Sequence, residues 1–284
     1  MPELPEVETI ARSLRNAAGL DFATWQGLNA RPGIVGRTIY SATVNWSRSI
    51  ATPEIEVFRQ QISGQVVQGV NRRGKFLVLQ LDRDWLLIHL RMSGDVRVEP
   101  ADSGLVQPHD RVILDFQDGT RLVFNDPRKF GRLWLVSHPD EVLSGLGPEP
   151  LAVELTPATF YAMLHARKTP VKPLLMDQRF ICGLGNIYTD EALHQAQIHP
   201  LQKAHTLSHE ESERLLSTIR DVLREGIQRN GASIDWVYRG GDFQNFFRVY
   251  QRTGKPCLRC GTAIERIVVG QRGTHFCPLC QVIH

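Results

Sequence analysis

Two groups of residues have the types and spacing for chemistry: Pro2, Glu3 and Glu6 at the start of the chain, and four cysteines near its end. Proline beside the initiator methionine permits removal of Met1, which would leave a free imino nitrogen on Pro2. An α-amino group titrates near pH 8, about two units below lysine, so part of it is an unprotonated nucleophile at neutral pH. A secondary amine of this kind can attack a sugar carbon and form an iminium, the Schiff-base form of covalent catalysis. Glu3 is adjacent and Glu6 lies one helical turn on, so carboxylates for proton traffic accompany the amine. The same residues also fit an ordinary helix start. Acidic side chains suit the positive end of the helix dipole, and Pro5 loses nothing in the first turn.

The cysteines occur as Cys257-x2-Cys260 and Cys277-x2-Cys280, with sixteen residues between the pairs. Two thiolate pairs on tight knuckles give the four-sulfur tetrahedron that zinc prefers, and the spacing is that of a zinc ribbon. With every position filled by protein, one zinc ion would be structural. Disulfides are the alternative, disfavoured in a reducing cytoplasm. Cys182, the remaining thiol, is expected simply to be packed. Arg252, Lys255, Arg259, Arg266 and Arg272 surround the pairs, consistent with a nucleic-acid-binding module or with plain surface charge.

The elements that position these groups follow from the rest of the chain. Its 284 residues suffice for two or three domains, and 42% hydrophobic with 22% charged residues is ordinary globular composition. No apolar run reaches membrane-spanning length and the acidic start is unlike a signal peptide, so a cytoplasmic protein without a membrane partner is expected. Net charge is only +3, but from Arg239 onward seven Lys/Arg face two Asp/Glu, so the basic excess lies in the tail. A phosphate backbone selects such clustering.

Val7, Ile10, Ala11 and Leu14 recur at helical spacing and could anchor the terminus to a core. Residues 19–34 have no clean period and are expected to form a surface loop. Residues 38–46, 65–70, 76–81, 85–90, 112–116, 122–124 and 133–136 are β-branched and aromatic runs separated by turn residues. Asp118-Gly119 marks a hairpin. One helix followed by this many strands suggests a β-sandwich. Residues 157–167, 171–177, 186–195 and 208–228 then predict helices. The last has a capping box, Ser208 with Glu211, an apolar stripe through Leu215, Ile219, Val222, Leu223 and Ile227, and a stop at Asn230-Gly231.

The opening Met1-Pro-Glu-Leu-Pro-Glu-Val-Glu-Thr9, the turn Gly183-Leu-Gly185-Asn186-Ile-Tyr188 and the cysteine-rich end resemble bacterial formamidopyrimidine-DNA glycosylase and its endonuclease VIII relatives, over almost the whole chain. The resemblance implies an α+β multidomain fold. An N-terminal catalytic β-sandwich with flanking helices would span 1–147, a helix–two-turn–helix DNA-binding domain 148–236, and a zinc finger 237–284. It implies a base-excision-repair enzyme, working as a monomer on damaged double-stranded DNA. The enzyme would remove oxidised purines and cleave the abasic strand by β,δ-elimination through a Schiff base on Pro2.

Matching position by position, the resemblance makes Glu3 the proton donor to the sugar and gives Glu6 an ordering role. Lys75, in Arg72-Arg73-Gly74-Lys75-Phe76, would donate a proton during elimination. Arg272, in Gln271-Arg272, would clamp phosphates beside the lesion and assist the later strand cleavage. Met92 in His89-Leu-Arg-Met92-Ser-Gly94, and Arg128 and Phe130 in Asn125-Asp-Pro-Arg128-Lys-Phe130-Gly131, match side chains that fill the gap left by a flipped nucleotide, a need common to base-flipping enzymes. Arg128 would face the orphaned base. By composition alone Met92 and Phe130 would pass for core residues. His89, His109, Lys129, Lys168 and Asn186 match DNA contacts, the last beside a glycine turn and helix start of the kind that favours phosphate.

Residues 231–244 depart from the family: the loop expected to cover the flipped base is shorter and has a different tip, and Gln251 stands where glycine is usual. Two rivals follow. A sister glycosylase for oxidised pyrimidines typically carries Gly where this chain has Leu4. A non-catalytic zinc-ribbon DNA-binding protein would not need a free proline terminus.

Overall fold

The computed structural model describes residues 1–15, 33–102, 107–233 and 240–284. The expectation for residues 19–34 therefore lies almost wholly outside the described residues, as does the middle of the 231–244 loop. The chain divides into two compact units, one of residues 1–144 with 230–241, the other of 145–229 with 242–284.

In the first unit, α1 (Leu4–Arg15) buries Leu4, Val7, Ile10, Ala11 and Leu14 along one face. The chain then forms β1 (Ile39–Val44), β2 (Ile50–Thr52), α2 (Ile55–Ile62), β3 (Val67–Arg73), β4 (Phe76–Leu81), β5 (Trp85–His89), β6 (Asp95–Pro100), β7 (Asp110–Phe116), β8 (Thr120–Asn125), β9 (Arg132–Val136) and the short α3 (Asp140–Leu143). One sheet runs β1-β7-β8-β6 and the other β2-β9-β5-β4-β3. All pairings are antiparallel except β2 with β9. A single apolar cluster includes Val7, Ile10 and Leu14 of α1, Leu77 and Ile88 of one sheet, and Val112 and Phe124 of the other. It is the core of the β-sandwich expected from one helix followed by many strands, with the N-terminal helix seated on it.

Four elements of this unit, β2, α2, β6 and α3, lie outside the runs expected from the sequence. The eight-residue α2 buries only Phe58 and Ile62, one helical turn apart, too short a pattern to register. Strand β6 carries charges that disguise it. Its Arg97 and Glu99 bond to each other at 2.7 Å, Arg97 reaches Asp110 Oδ2 at 2.6 Å, and Glu99 accepts from Arg121 Nε at 2.8 Å. These pairs satisfy the charges of this edge strand while Val96 and Val98 alternate with them into the core.

In the second unit, α4 (Pro157–His165), α5 (Val171–Met176), α6 (Asn186–Ala196) and α7 (His209–Gln228) precede a hairpin of β10 (Glu265–Val269) and β11 (Arg272–Phe276). Helix α7 has the expected capping box: Ser208 Oγ accepts the Glu211 N–H at 3.1 Å, and Glu211 Oε2 accepts the Ser208 N–H at 2.8 Å. Helix α6 is buried nearly all round, Ile187 to Leu193 included, as suits a central helix. Its carboxylates are satisfied internally. Glu191 accepts the backbone N–H groups of Arg248, Val249 and Tyr250 at 2.8–3.1 Å, and burial raises its pKa.

Candidate active site and nucleic-acid interface

Pro2 and Glu3 are both buried at the start of α1, while Met1 is 43% exposed. Glu6, at the third helical position, turns back so that Oε2 accepts the Glu3 N–H at 2.7 Å, the backward half of a capping box. Its other oxygen, Oε1, accepts the Ala232 N–H at 2.8 Å. Glu6 thus fixes the backbone that carries Pro2 and Glu3 and ties it to the 230–233 segment. Gly231, at φ +81°, has no room for a side chain there: an added Cβ would lie 2.7 Å from Glu6 Oε1.

Lys75 occupies the two-residue turn Gly74-Lys75 between β3 and β4, closed by the Arg73–Phe76 pair. A basic hairpin tip is ordinarily solvated, yet Lys75 is only 5% exposed. Opposite Phe76 on β5 stands His89, its ring edge-on to Phe76 at 4.6 Å. Burial, reinforced by the charges of Arg91 and Lys75, pushes the His89 pKa down to about 3. The ring is therefore neutral near pH 7. Nδ1 accepts the Arg91 N–H at 3.0 Å, so Nε2 carries the hydrogen and can donate to an anion.

The β5–β6 and β8–β9 connections carry the other candidates of this unit. Met92 is partly buried, whereas Phe130 is 50% exposed. Half-exposed, Phe130 is no core residue. The Arg128 guanidinium lies over the Phe130 ring at 5.3 Å, and Lys129 Nζ lies 4.0 Å from the centre of the Trp46 ring. Exposed His109 adopts φ 81° and has its Nδ1 3.1 Å from Arg111 Nη2. Beneath these side chains lies Asp126, fully buried, a residue of the Asn125–Gly131 stretch whose type alone gives no sign of a role.

In the second unit, Asn186 is the first residue of α6, at the positive end of its dipole, and Nδ2 donates to Gly273 O at 3.0 Å. The preceding turn is braced by Gln178: its Nε2 donates to Met176 O and Leu184 O at 3.0 and 2.8 Å, and its Oε1 accepts the Gly183 N–H at 2.8 Å. Lys168 is exposed. Lys172, four residues on, is not available to solvent: Nζ contacts Asp190 Oδ1 at 2.5 Å and Thr274 Oγ1 at 2.8 Å, with Lys172 and Asp190 side chains both 0% exposed. Asp190 Oδ2 in turn accepts the His275 N–H at 2.9 Å, so one ion pair joins α5, α6 and β11. Arg272 is exposed at the start of β11, just past a turn in which Gly270 and Gln271 take φ 54° and 62°, the sign pattern of a type I′ hairpin.

The Sγ atoms of Cys257, Cys260, Cys277 and Cys280 lie within 4.8 Å of one another, with Cys257–Cys280 at 4.0 Å and Cys260–Cys277 at 3.5 Å. Zinc–sulfur bonds of about 2.3 Å set tetrahedral edges of about 3.8 Å, so the four sulfurs fit one zinc ion with no position left for a substrate. Buried His194 of α6 places Nε2 3.3 Å from Cys257 Sγ, an outer contact that steadies a ligand thiolate. Nothing in the spacing of the sequence links residue 194 to residue 257.

Three family descriptions match the chain: the formamidopyrimidine-DNA glycosylase N-terminal domain over residues 22–133, its H2TH domain over 146–237, and the zinc finger found in FPG and IleRS over 254–282. The formamidopyrimidine-DNA glycosylase of Chloroflexus aggregans is 46% identical over 292 residues, covering 100% of this chain and 99% of that protein. The Enterococcus faecalis protein of the same name is 42% identical, covering 99% and 97%. Among solved structures, the Lactococcus lactis enzyme with DNA containing FAPY-dG superposes with a TM-score of 0.86 at 36% identity, over 98% of this chain and 99% of that one. A complex with carbocyclic 8-oxo-G DNA also gives 0.86 at 36% identity, over 99% of each. By sequence, by fold and by its cluster of four cysteines, the chain belongs to the formamidopyrimidine-DNA glycosylase family.

Proposed function

We propose that this protein is a base-excision-repair DNA glycosylase for oxidised purines and formamidopyrimidines in double-stranded DNA, and also a lyase for the resulting abasic site. It would act as a monomer in the cytoplasm; among the described residues no helix is long and apolar enough to cross a membrane. The observation that carries the chemistry is the Glu6–Glu3 hydrogen bond, which holds the buried Pro2-Glu3 backbone in one conformation. A fixed nucleophile and acid are what proximity catalysis requires.

In this reading Met1, exposed in the fold, is removed and the Pro2 nitrogen attacks C1′ of the damaged nucleotide. The glycosidic bond breaks, the base leaves with a proton, and Glu3 protonates the ring oxygen as the sugar opens to an iminium on Pro2. The iminium acidifies the adjacent C2′ protons. Loss of one expels the 3′ phosphate, and a second elimination expels the 5′ phosphate; water then frees the sugar remnant from Pro2. Lys75 donates a proton during elimination and Glu6 keeps the terminus ordered. Neutral His89 donates from Nε2 to phosphate. Met92, Arg128 and Phe130 fill the vacated stack. His109, Lys129, Lys168, Asn186 and Arg272 hold the backbone, where cationic and helix-terminal contacts supply most of the affinity. One zinc, held by Cys257, Cys260, Cys277 and Cys280, supplies folding stability to the finger and takes no part in the reaction. The three-part division 1–147, 148–236 and 237–284 belongs to the same proposal.

Borohydride trapping tests it. Wild type should form a covalent adduct with duplex DNA containing 8-oxoguanine, and Pro2→Gly should not. Faster excision of thymine glycol than of 8-oxoguanine would move the protein to the pyrimidine branch. An active protein whose intact mass still includes Met1 would overturn the mechanism.

A further inference from the structure

The three side chains proposed to enter the duplex come from two separate connections, Met92 between β5 and β6, and Arg128 and Phe130 between β8 and β9. One buried carboxylate joins them. Asp126 is 0% exposed; its Oδ1 accepts the Ser93 hydroxyl, and also the Arg128 N–H at 3.2 Å. Ser93 Oγ accepts that same Arg128 N–H at 3.1 Å. Oδ2 accepts the Gly131 N–H at 2.7 Å, on the far side of Phe130. The backbone of Asp126 is engaged as well: its N–H donates to His109 O at 3.0 Å and its carbonyl accepts Arg111 Nε at 2.8 Å. No side chain fits at Gly131, where a Cβ would lie 2.3 Å from Phe124 Cζ and 3.1 Å from Asp126 Oδ2.

We infer that Asp126, through Ser93, is a positioning residue that locks the Met92 connection to the Arg128–Phe130 connection so that the three side chains enter DNA as one preset unit. The inference rests on the gap-filling role proposed above. The physical reason lies in the backbone. Between residues 126 and 131 the chain closes no ladder of its own, and its N–H groups at Arg128 and Gly131 both end on this carboxylate. Ser93 stands beside Met92, so any shift of one connection must break a buried bond to the other. Preset geometry spares the entropy of ordering two loops each time a nucleotide is turned out.

The test pairs two substrates and two variants. Asp126→Asn retains the shape but loses one acceptor, and Ser93→Ala removes only the bridge. On duplex DNA with a formamidopyrimidine lesion, Asp126→Asn should lower kcat/KM about tenfold or more, and Ser93→Ala should act in the same direction by less. Both should change the relative excision rates with different bases opposite the lesion, because Arg128 faces the orphaned base in the proposed function. On a preformed abasic site in single-stranded DNA there is no stack to fill and no opposing base. Borohydride trapping there should stay within about twofold of wild type, because formation of the iminium uses Pro2, Glu3 and Glu6 and none of the three gap-filling side chains. Equal losses on both substrates would mark Asp126 as merely structural and overturn the inference. Unchanged duplex excision with unchanged opposite-base preference in Ser93→Ala would overturn it too, and this arm serves if Asp126→Asn fails to fold. Wild type that traps on neither substrate would instead remove the proposed function itself.

Discussion

Glu6 and Ala232 lie 226 positions apart and are joined by a 2.8 Å hydrogen bond from the Ala232 N–H to Glu6 Oε1. The same carboxylate holds the Glu3 N–H, so one side chain orders both the candidate nucleophile's backbone and a segment from the other end of the chain. Glu6→Gln would leave one of these N–H groups facing an amide donor. An unsatisfied buried group costs about 1–3 kcal/mol, and the borohydride adduct should fall at least about tenfold while the fold survives. Wild-type trapping rates in Glu6→Gln would contradict the ordering role.

Gly231→Ala tests the same junction from the other side. Its φ of +81° disfavours any side chain, and the new methyl group would sit 2.7 Å from Glu6 Oε1. Destabilisation of more than about 1 kcal/mol is expected, with activity lost beyond what the unfolded fraction explains. Denaturant titration alongside trapping at low temperature measures the two separately.

Phe130→Ala should separate binding from stability. The ring is 50% exposed, so unfolding free energy should change by no more than about 0.5 kcal/mol. Removing the wedge should still weaken lesion-duplex binding and lower excision. A melting temperature that falls sharply would argue that the ring is structural.

Lys172→Met should behave in the opposite way. Removing one member of the fully buried Lys172–Asp190 pair leaves a charge without its partner, at about 3–5 kcal/mol. DNA binding should fall only as the folded fraction falls. Lys172→Met with Asp190→Asn should recover part of the stability, and a double-mutant cycle measures the coupling.

His89 gives the molecule a signature in pH. Its pKa falls from 6.5 to about 3 on folding, so below pH 6.5 the unfolded chain binds a proton that the folded chain refuses. Stability from this group is therefore complete above about pH 6.5 and is lost as pH falls towards 3, with a slope of about 1.4 kcal/mol per unit. Urea midpoints of wild type should drop between pH 6 and 4 more steeply than those of His89→Gln; parallel curves would refute the neutral, buried assignment.

Much of this architecture was legible in the residues. The Val7–Leu14 spacing, the β-branched and aromatic runs of β3, β4 and β5 with turn residues between them, and the Ser208–Glu211 box are each local signals that need no distant partner. The elements that escaped notice are short or charge-rich. Strand β6 turns Val96 and Val98 into the core, but Arg97 and Glu99 alternate with them on the other face, where Asp110 and Arg121 pair with the charges. Lys172 reads as a basic surface residue until Asp190 and Thr274 surround it, and Lys75 as a solvated hairpin tip although the fold buries it. Asp126 was in plain view as a turn residue, but a turn aspartate gives no sign that it also receives a serine 33 positions away.

The sequence alone determined the ligand set of the zinc site, the helix that carries Pro2 and Glu3, and the succession of β-branched and aromatic runs that makes a sandwich, because each depends on neighbours within a few residues or on a fixed chemical preference. Tertiary structure alone decided which charges are buried and paired, which loops are joined, and which ring protonation state His89 holds. Those outcomes depend on desolvation and on partners tens to hundreds of residues away, and neither is encoded in local spacing.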